Sequence, residues 1–383
     1  MSALCLLTAS CVNEKPSVEG GGEQPQTWTE LKDLAVMFSE LPLEEEHLQE
    51  VHAAVTESLS NGYDEEYTMH DLFVEPGKGV GTERLDTKAP TRSYSKPLRS
   101  LIEDYLGART KAGEASVEGL LEALESSDTQ VYWPYSERWD GHQYPVITYY
   151  PEAEAASNIG YEIVHDEDGG SHVQQVIVDE QMAMQRPVWV LNRNDDSGYE
   201  SIEVRRRKDP EWGQGGEIYV KSGSDEDYPT LYLKDITLRK NFDCWLCGAS
   251  EIVIHCGSVS GFTASTEAEL KLYKPSVTNF MISIPRSKVG LKIPFNAVLI
   301  SEFTPQLDMF AFLVNEDDGG TQTSWKTEAT VKVTSKSYGF TLNIPLNVHD
   351  DIIWRGQLSS SFFKKNTGKV GNFGDVSLTF CLQ

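Results

Sequence analysis

The hydrophobic pattern of this chain changes its period once, at Thr129, and that change constrains the fold more than any other feature. Before it, apolar residues recur at three- and four-residue intervals, the spacing that puts them on one face of a helix. Leu31, Leu34, Ala35 and Phe38 form one such set, followed by a break at Pro42. Leu48, Val51, His52, Val55 and Leu59 form a second, closing on Asn61-Gly62, a pair suited to a helix C-terminus. After a loop-like stretch over 77–97, the pattern returns in Leu98, Leu101, Ile102 and Tyr105, and again in Val117, Leu120, Leu121 and Leu124. From Thr129 onward the apolar residues come in short β-branched and aromatic runs bounded by Gly, Pro, Asn and Asp. The first set covers 131–133, 145–150, 160–165, 173–178 and 188–191. A second follows an acidic turn at 222–227 and covers 231–240, 251–256, 268–273, 280–284, 297–303, 309–315, 329–334, 341–345 and 376–381. Short strands at near-regular spacing with no helix between them predict an antiparallel sandwich or barrel. The expected fold class is α+β: a helical N-terminal region, then mainly antiparallel β domains ending in a β-sandwich. The expected divisions are 1–27, 28–127 (helical), 128–228 (β-rich) and 229–383 (sandwich).

The first eleven residues, MSALCLLTASC, are a short apolar run ending in small side chains and a cysteine. Thr8-Ala9-Ser10-Cys11 resembles a bacterial lipobox. The resemblance implies that the Cys11 thiol is alkylated by diacylglycerol, that signal peptidase cuts before it, and that the mature protein hangs from a membrane of the cell envelope, at the outer membrane or cell surface. Residues 12–27 are rich in Gly, Pro, Glu and Gln and read as a flexible tether. No stretch approaches the roughly 18 apolar residues of a helical membrane span.

With 33 basic and 59 acidic residues the formal charge is −26. Such a chain is repelled by phosphate backbones, so nucleic acid is not an expected partner. The one basic cluster, Arg205-Arg206-Arg207-Lys208, is flanked by acidic residues and reads as a solvated strand end or turn. The carboxylate excess suits divalent cations. Two acidic Gly-Gly turns stand out, 166–170 (DEDGG) and 316–320 (EDDGG), each following a strand. Carboxylates packed this closely repel one another, and a calcium ion, which takes six to eight oxygens from flexible loops, relieves that repulsion. Asp166, Asp168, Glu316, Asp317 and Asp318 are therefore candidate ligands, although Asp-Gly and Gly-Gly are also ordinary hairpin turns. The segment 231–256, with Asp243 in its loop, together with 309–318 (MFAFLVNEDD) and Asp350-Asp351, resembles the calcium-dependent phospholipid-binding sandwiches of the protein kinase C conserved-region type. That resemblance covers about the last 155 residues and implies a sandwich fold and Ca2+ at Asp243 and the later acidic loop.

Cys244-Trp245-Leu246-Cys247 is a C-x-x-C, and Cys256 and Cys381 lie in later strands. No second C-x-x-C completes a zinc site, and no βαβ unit surrounds a redox motif. The four cysteines can form two disulfides in three ways, Cys244–Cys247 with Cys256–Cys381 among them, or remain buried thiols. There is no H-E-x-x-H, no G-x-S-x-G, no P-loop and no G-x-G-x-x-G opening a helix. Tyr132, Trp133, Tyr135 and Trp139 crowd into eight positions. They can pack a core or present flat faces to a glycan. The segment around them, YWPYSERWDG followed by PVITYYP, resembles uncharacterised Bacteroidetes-type surface lipoproteins, which implies a cell-envelope place and no particular activity. The expected function is that of a non-enzymatic binding or interaction module, stabilised by calcium, with a glycan or protein ligand. The alternative is a glycan- or peptide-active hydrolase with an unfamiliar site.

Overall fold

A computed structural model describes residues 30–73, 94–109, 116–151, 153, 155–165, 170–194, 201–208 and 228–383. Cys11, Asp166 and Asp168 lie outside the described residues. The α+β class expected from the sequence holds, with helices first and mainly antiparallel sheets after.

The helical patterns become α1 (Leu31–Glu40), α2 (Glu45–Ser60), α3 (Met69–Phe73), α4 (Leu98–Arg109) and α5 (Val117–Glu125). They pack on a six-stranded sheet built from β1 (Glu66–Thr68), β2 (Thr129–Tyr132), β3 (Val146–Tyr149), β4 (Ser157–His165), β5 (Ser171–Asp179) and β6 (Val188–Arg193), in the order β1-β2-β6-β3-β4-β5. The β3–β6 pair is parallel and the others are antiparallel. Side chains alternate across a strand, so consecutive residues serve opposite faces. Val131, Trp133, Trp189 and Leu191 go to the helical side, against Leu34, Phe38, Leu48 and Val51. Tyr132, Val188 and Val190 go to the other side, where they meet Trp245 and Leu246 from the C-terminal half. Both faces of β6 are thus covered, and its first four residues, VWVL, are all apolar, as a doubly buried strand requires.

The helix layer holds a buried acid. Glu50 in α2 accepts from the Leu98 backbone N at 2.7 Å, so it caps the first turn of α4, and from the Tyr67 hydroxyl at 3.2 Å. Burial raises its pKa from 4.5 to about 7. The folded state then holds this proton more tightly than the unfolded chain does. Its stabilising contribution is complete below pH 4.5 and is lost as pH rises through about 7. Glu50→Gln keeps a cap oxygen for Leu98 and no longer titrates. Urea unfolding should find the variant close to wild type in mild acid and relatively more stable in mild base, by up to roughly 3 kcal/mol. Parallel pH profiles would show that Glu50 is not the titrating group.

Beyond α6 (Glu180–Ala183) and α7 (Ile202–Lys208), two sheets pack face to face. One comprises β7 (Leu231–Leu238), β10 (Ile293–Ile300), β15 (Val370–Phe373) and β16 (Val376–Leu382), in the order β10-β7-β16-β15. The other comprises β8 (Ser250–Ser258), β9 (Ser276–Ile284), β11 (Leu307–Glu316), β12 (Gln322–Val333) and β13 (Lys336–Asn347), in the order β13-β12-β11-β8-β9, with β14 (Asp351–Ser359) pairing β11. Leu233, Ile236, Leu378 and Phe380 from the first sheet share one core with Ile252, Ile254, Phe310 and Phe312 from the second. Phe312 lies at its centre, with ring centroids 5.6 Å from Phe373 and Phe380 and 6.0 Å from Trp354.

Three local expectations are corrected. Residues 268–273, read as a strand, fall in a 3-10 helix, Glu267–Leu272, and its C-cap Tyr273; no side chain of the helix is fully buried and only Leu270 of it packs, partly, on the core, which is too little to hold a strand. A helix, α8 (Ser360–Asn366), interrupts the strand series, capped by Ser359 Oγ, which accepts from Phe362 N at 3.1 Å. Arg205 to Lys208 end α7, where cations suit the negative end of the helix dipole, rather than a strand or turn.

Candidate metal centre

The site begins with the connection between β7 and β8, residues 239–249. This segment is pinned along its length. Phe242 N donates to Ser250 Oγ at 2.9 Å, and Cys247 N closes a turn onto Cys244 O at 3.0 Å. A disulfide joins Cys244 to Cys247. The outer half docks on the six-stranded sheet of the N-terminal half and its flanking loops: Trp245 Nε1 donates to Ala156 O at 3.1 Å, Asn192 Nδ2 to Leu246 O at 3.2 Å, and Ala249 N to Asp64 Oδ2 at 2.9 Å. Arg286, whose guanidinium is nearly buried, donates from Nη1 to Asp243 O at 3.0 Å and from Nε to Glu180 Oε1 at 2.7 Å. The backbone of Asp243 is therefore fixed from both sides, and its side chain is held where the loop places it.

It is placed against two other acids. One carboxylate oxygen from each of Asp243, Glu251 and Glu316 lies within 4.8 Å of the others. Glu251 is the second residue of β8 and Glu316 the last of β11; the strands pair antiparallel with Glu316 opposite Ile252, so the two acids meet at the shared strand ends across 65 residues of sequence. Glu251 Oε1 accepts from Ser283 Oγ at 3.3 Å, and its carbonyl accepts from Asp317 N at 3.0 Å. Glu316 is fully buried, and neither of its carboxylate oxygens has a hydrogen-bond donor; Asp243 Oδ2 is buried without one as well. Burial first, then the carboxylates of Asp243 and Asp318, push the pKa of Glu316 so far above the usual carboxylate range that it holds a proton at neutral pH. Burial and the Asp318 charge also raise Asp243, and burial raises Asp318.

Buried carboxylates at this spacing cannot all be ionised without a counter-charge. Either protons or a cation must supply it. The donors are all carboxylate oxygens, which suit a hard ion of the Ca2+ or Mg2+ kind and not a thiophilic one. Asp243, Glu251 and Glu316, with Asp318 beside Glu316, could hold such an ion.

The other residues singled out from sequence take different places. Asp317 turns away from the group: its Oδ1 accepts from Gly319 N at 3.0 Å and Asn347 Nδ2 at 2.7 Å, because the 317–320 turn needs it as an internal acceptor. Asp350 Oδ2 accepts from Asn315 Nδ2 and Asn347 N, both at 2.8 Å, and its pKa is raised to about 6, by burial first. The sequence does not mark Glu251 as a ligand; its local signal is an acid at the start of a mostly apolar strand, EIVIHC.

The aromatic cluster is largely interior. Tyr132 is fully buried on the face of β2 opposite Trp133, so the two cannot share a platform. Trp133 stacks edge-on with Trp139 and Trp189 at 5.4 and 5.8 Å, and the Tyr135 hydroxyl donates to Glu180 Oε1 at 2.9 Å. Trp139 is the partly exposed member; with Arg138, Gln143 and Arg186 it lines a recess of about 90 Å3. Cys256 and Cys381 are free thiols rather than a disulfide, since they belong to different sheets, with Cys256 packed into the core between them. Burial raises the Cys256 thiol to about 12, which leaves it inert. Among the described residues, no helix is long and apolar enough to cross a membrane.

No protein-family model matches this chain, and no curated protein or solved structure is detectably similar to it.

Proposed function

We propose that this chain is a non-enzymatic binding module of a bacterial cell envelope, tethered by lipid on Cys11, whose C-terminal β-sandwich is locked by one divalent cation of the calcium class. The ligands are Asp243, Glu251 and Glu316, with Asp318 at the entrance. The observation that carries this reading is Glu316: a fully buried carboxylate with no donor to either oxygen, aimed at two more acids. An isolated buried carboxylate costs several kcal/mol, and a cation held by several of them offsets that cost. Burial speaks against hydrolysis at this cluster, because Glu251 and Glu316 have no surface to offer a substrate.

Isothermal titration of the chelator-treated full chain with calcium chloride tests it. The expected result is a single site per chain, tighter for calcium than for magnesium, since magnesium demands near-octahedral geometry and sheds water reluctantly. Asp243→Asn should weaken the site at least tenfold, removing one of its charged ligands. A flat titration for both ions would leave the cluster as acids sharing protons.

A further inference from the structure

A different part of the molecule carries the further inference, and it does not depend on the cation. Strand β5 is the last in the six-stranded sheet, paired with β4 over its whole length from Ser171↔His165 to Asp179↔Ser157, in continuous register without a bulge. No other described strand pairs its outer side. On one face of this edge, Ile177 is 65% exposed and Val173 39%, and Ile159 of β4, directly opposite Ile177, is 39% exposed. Between them Tyr161 is buried in the core under the helices. The apolar strip therefore runs outward past the cover that the helical layer provides.

Natural edge strands are blunted by lysine, proline, bulges or inward-pointing charges. The sequence SHVQQVIVD has none of these, and its single acid, Asp179, stands at the end. It has instead the property that an antiparallel mate of the same sequence needs. With Gln175 opposite Gln175, Val173 lies opposite Ile177 of the mate and Ile177 opposite Val173. Both pairs fall on the face that already carries Ile159. Asp179 lands opposite Ser171, so no like charges meet. Cross-strand pairs of β-branched residues are favourable in a sheet, and a patch that complements itself closes as a two-fold dimer.

We infer that β5 is a self-association edge: two copies of this chain pair through their β5 strands, antiparallel about Gln175, joining two sheets into one. A single strand pair buries little area, so a weak dimer is expected. Two chains of charge −26 repel each other, so salt should strengthen the contact rather than weaken it.

Sedimentation equilibrium of the full chain, in low and then about 1 M salt, where screening reaches within about 3 Å, reads the first outcome. The mass should rise toward twice the monomer value with concentration, and further with salt. Ile177→Lys, a change at an exposed position, should keep the wild-type melting point and stay monomeric throughout. Gln175→Cys reads the register. Residues directly opposite in an antiparallel pair have Cα atoms about 4.5–5.5 Å apart, inside the range a disulfide spans. Mild oxidation should give at least tenfold more covalent dimer for Gln175→Cys than for Ile177→Cys, whose partner in the pairing is residue 173. A monomer mass at every concentration and salt would overturn the inference. So would a dimer that survives Ile177→Lys, or equal cross-linking by the two cysteine variants.

Discussion

Glu316→Gln is expected to abolish any calcium-dependent rise in melting temperature while leaving the chelated protein as stable as wild type. The asymmetry follows from the state of the group. Without a cation, the wild-type Glu316 carboxyl is buried and holds a proton at neutral pH. Glutamine has nearly the same shape and is neutral at every pH, so it should cost little there. With calcium the comparison reverses, because the ion must displace that proton and use the charge, which glutamine cannot supply. A ligand at a hundredfold excess over its dissociation constant stabilises the folded state by about 2.7 kcal/mol. For a chain of this length melting as one unit that corresponds to a rise of roughly 4 °C for wild type, against no rise for the variant. Scanning calorimetry with excess calcium and with chelator decides it. An equal rise in both proteins would place the ion elsewhere.

Phe312→Ala should produce the largest loss of stability of any single truncation in the C-terminal sandwich. The ring is fully buried in β11, the strand that pairs β14 on one side and β8 and β12 on the other, and it touches aromatic neighbours from both sheets. Removing it loses both transfer energy and packing, because neighbours fixed in two sheets cannot collapse into the space. The expected cost is about 3–5 kcal/mol, and Phe312→Leu should recover more than half of it. Chemical unfolding gives the number. A loss below about 1 kcal/mol would mean that the two sheets close over the vacated volume.

Much of this architecture is legible one element at a time. The helices α1, α2, α4 and α5 fall where the three- and four-residue spacing puts them. The centres of β7, β8, β11 and β16 fall on apolar runs long enough to need a core. What local pattern misses has a physical reason in each case. Strand β14 opens on Asp351, which looks like the end of a loop, and is held as a strand by its ladder to β11. Residues 267–272 alternate correctly, but only Leu270 packs, partly, against the core. The candidate site divides the same way. Asp243 is visible as an acid in a loop between strands, and Glu316 as one at a strand end. Glu251 becomes relevant only when the β8–β11 register is known, and Arg286 only when it meets Glu180, 106 residues away. Aromatic crowding over 132–139 predicts importance without role, since neighbouring residues on a strand face opposite ways, and three of the four rings are interior.

The connection between β7 and β8 has one more consequence. Trp245 and Leu246 leave the sandwich to cover Tyr132, Val188 and Val190, so the C-terminal half supplies the missing wall of the N-terminal sheet. A chain cut at residue 228 would leave that face wet, and its apolar side chains would seek any other surface available. The two halves are therefore not autonomous units: they should melt in a single transition, and the N-terminal half made alone should be prone to precipitate.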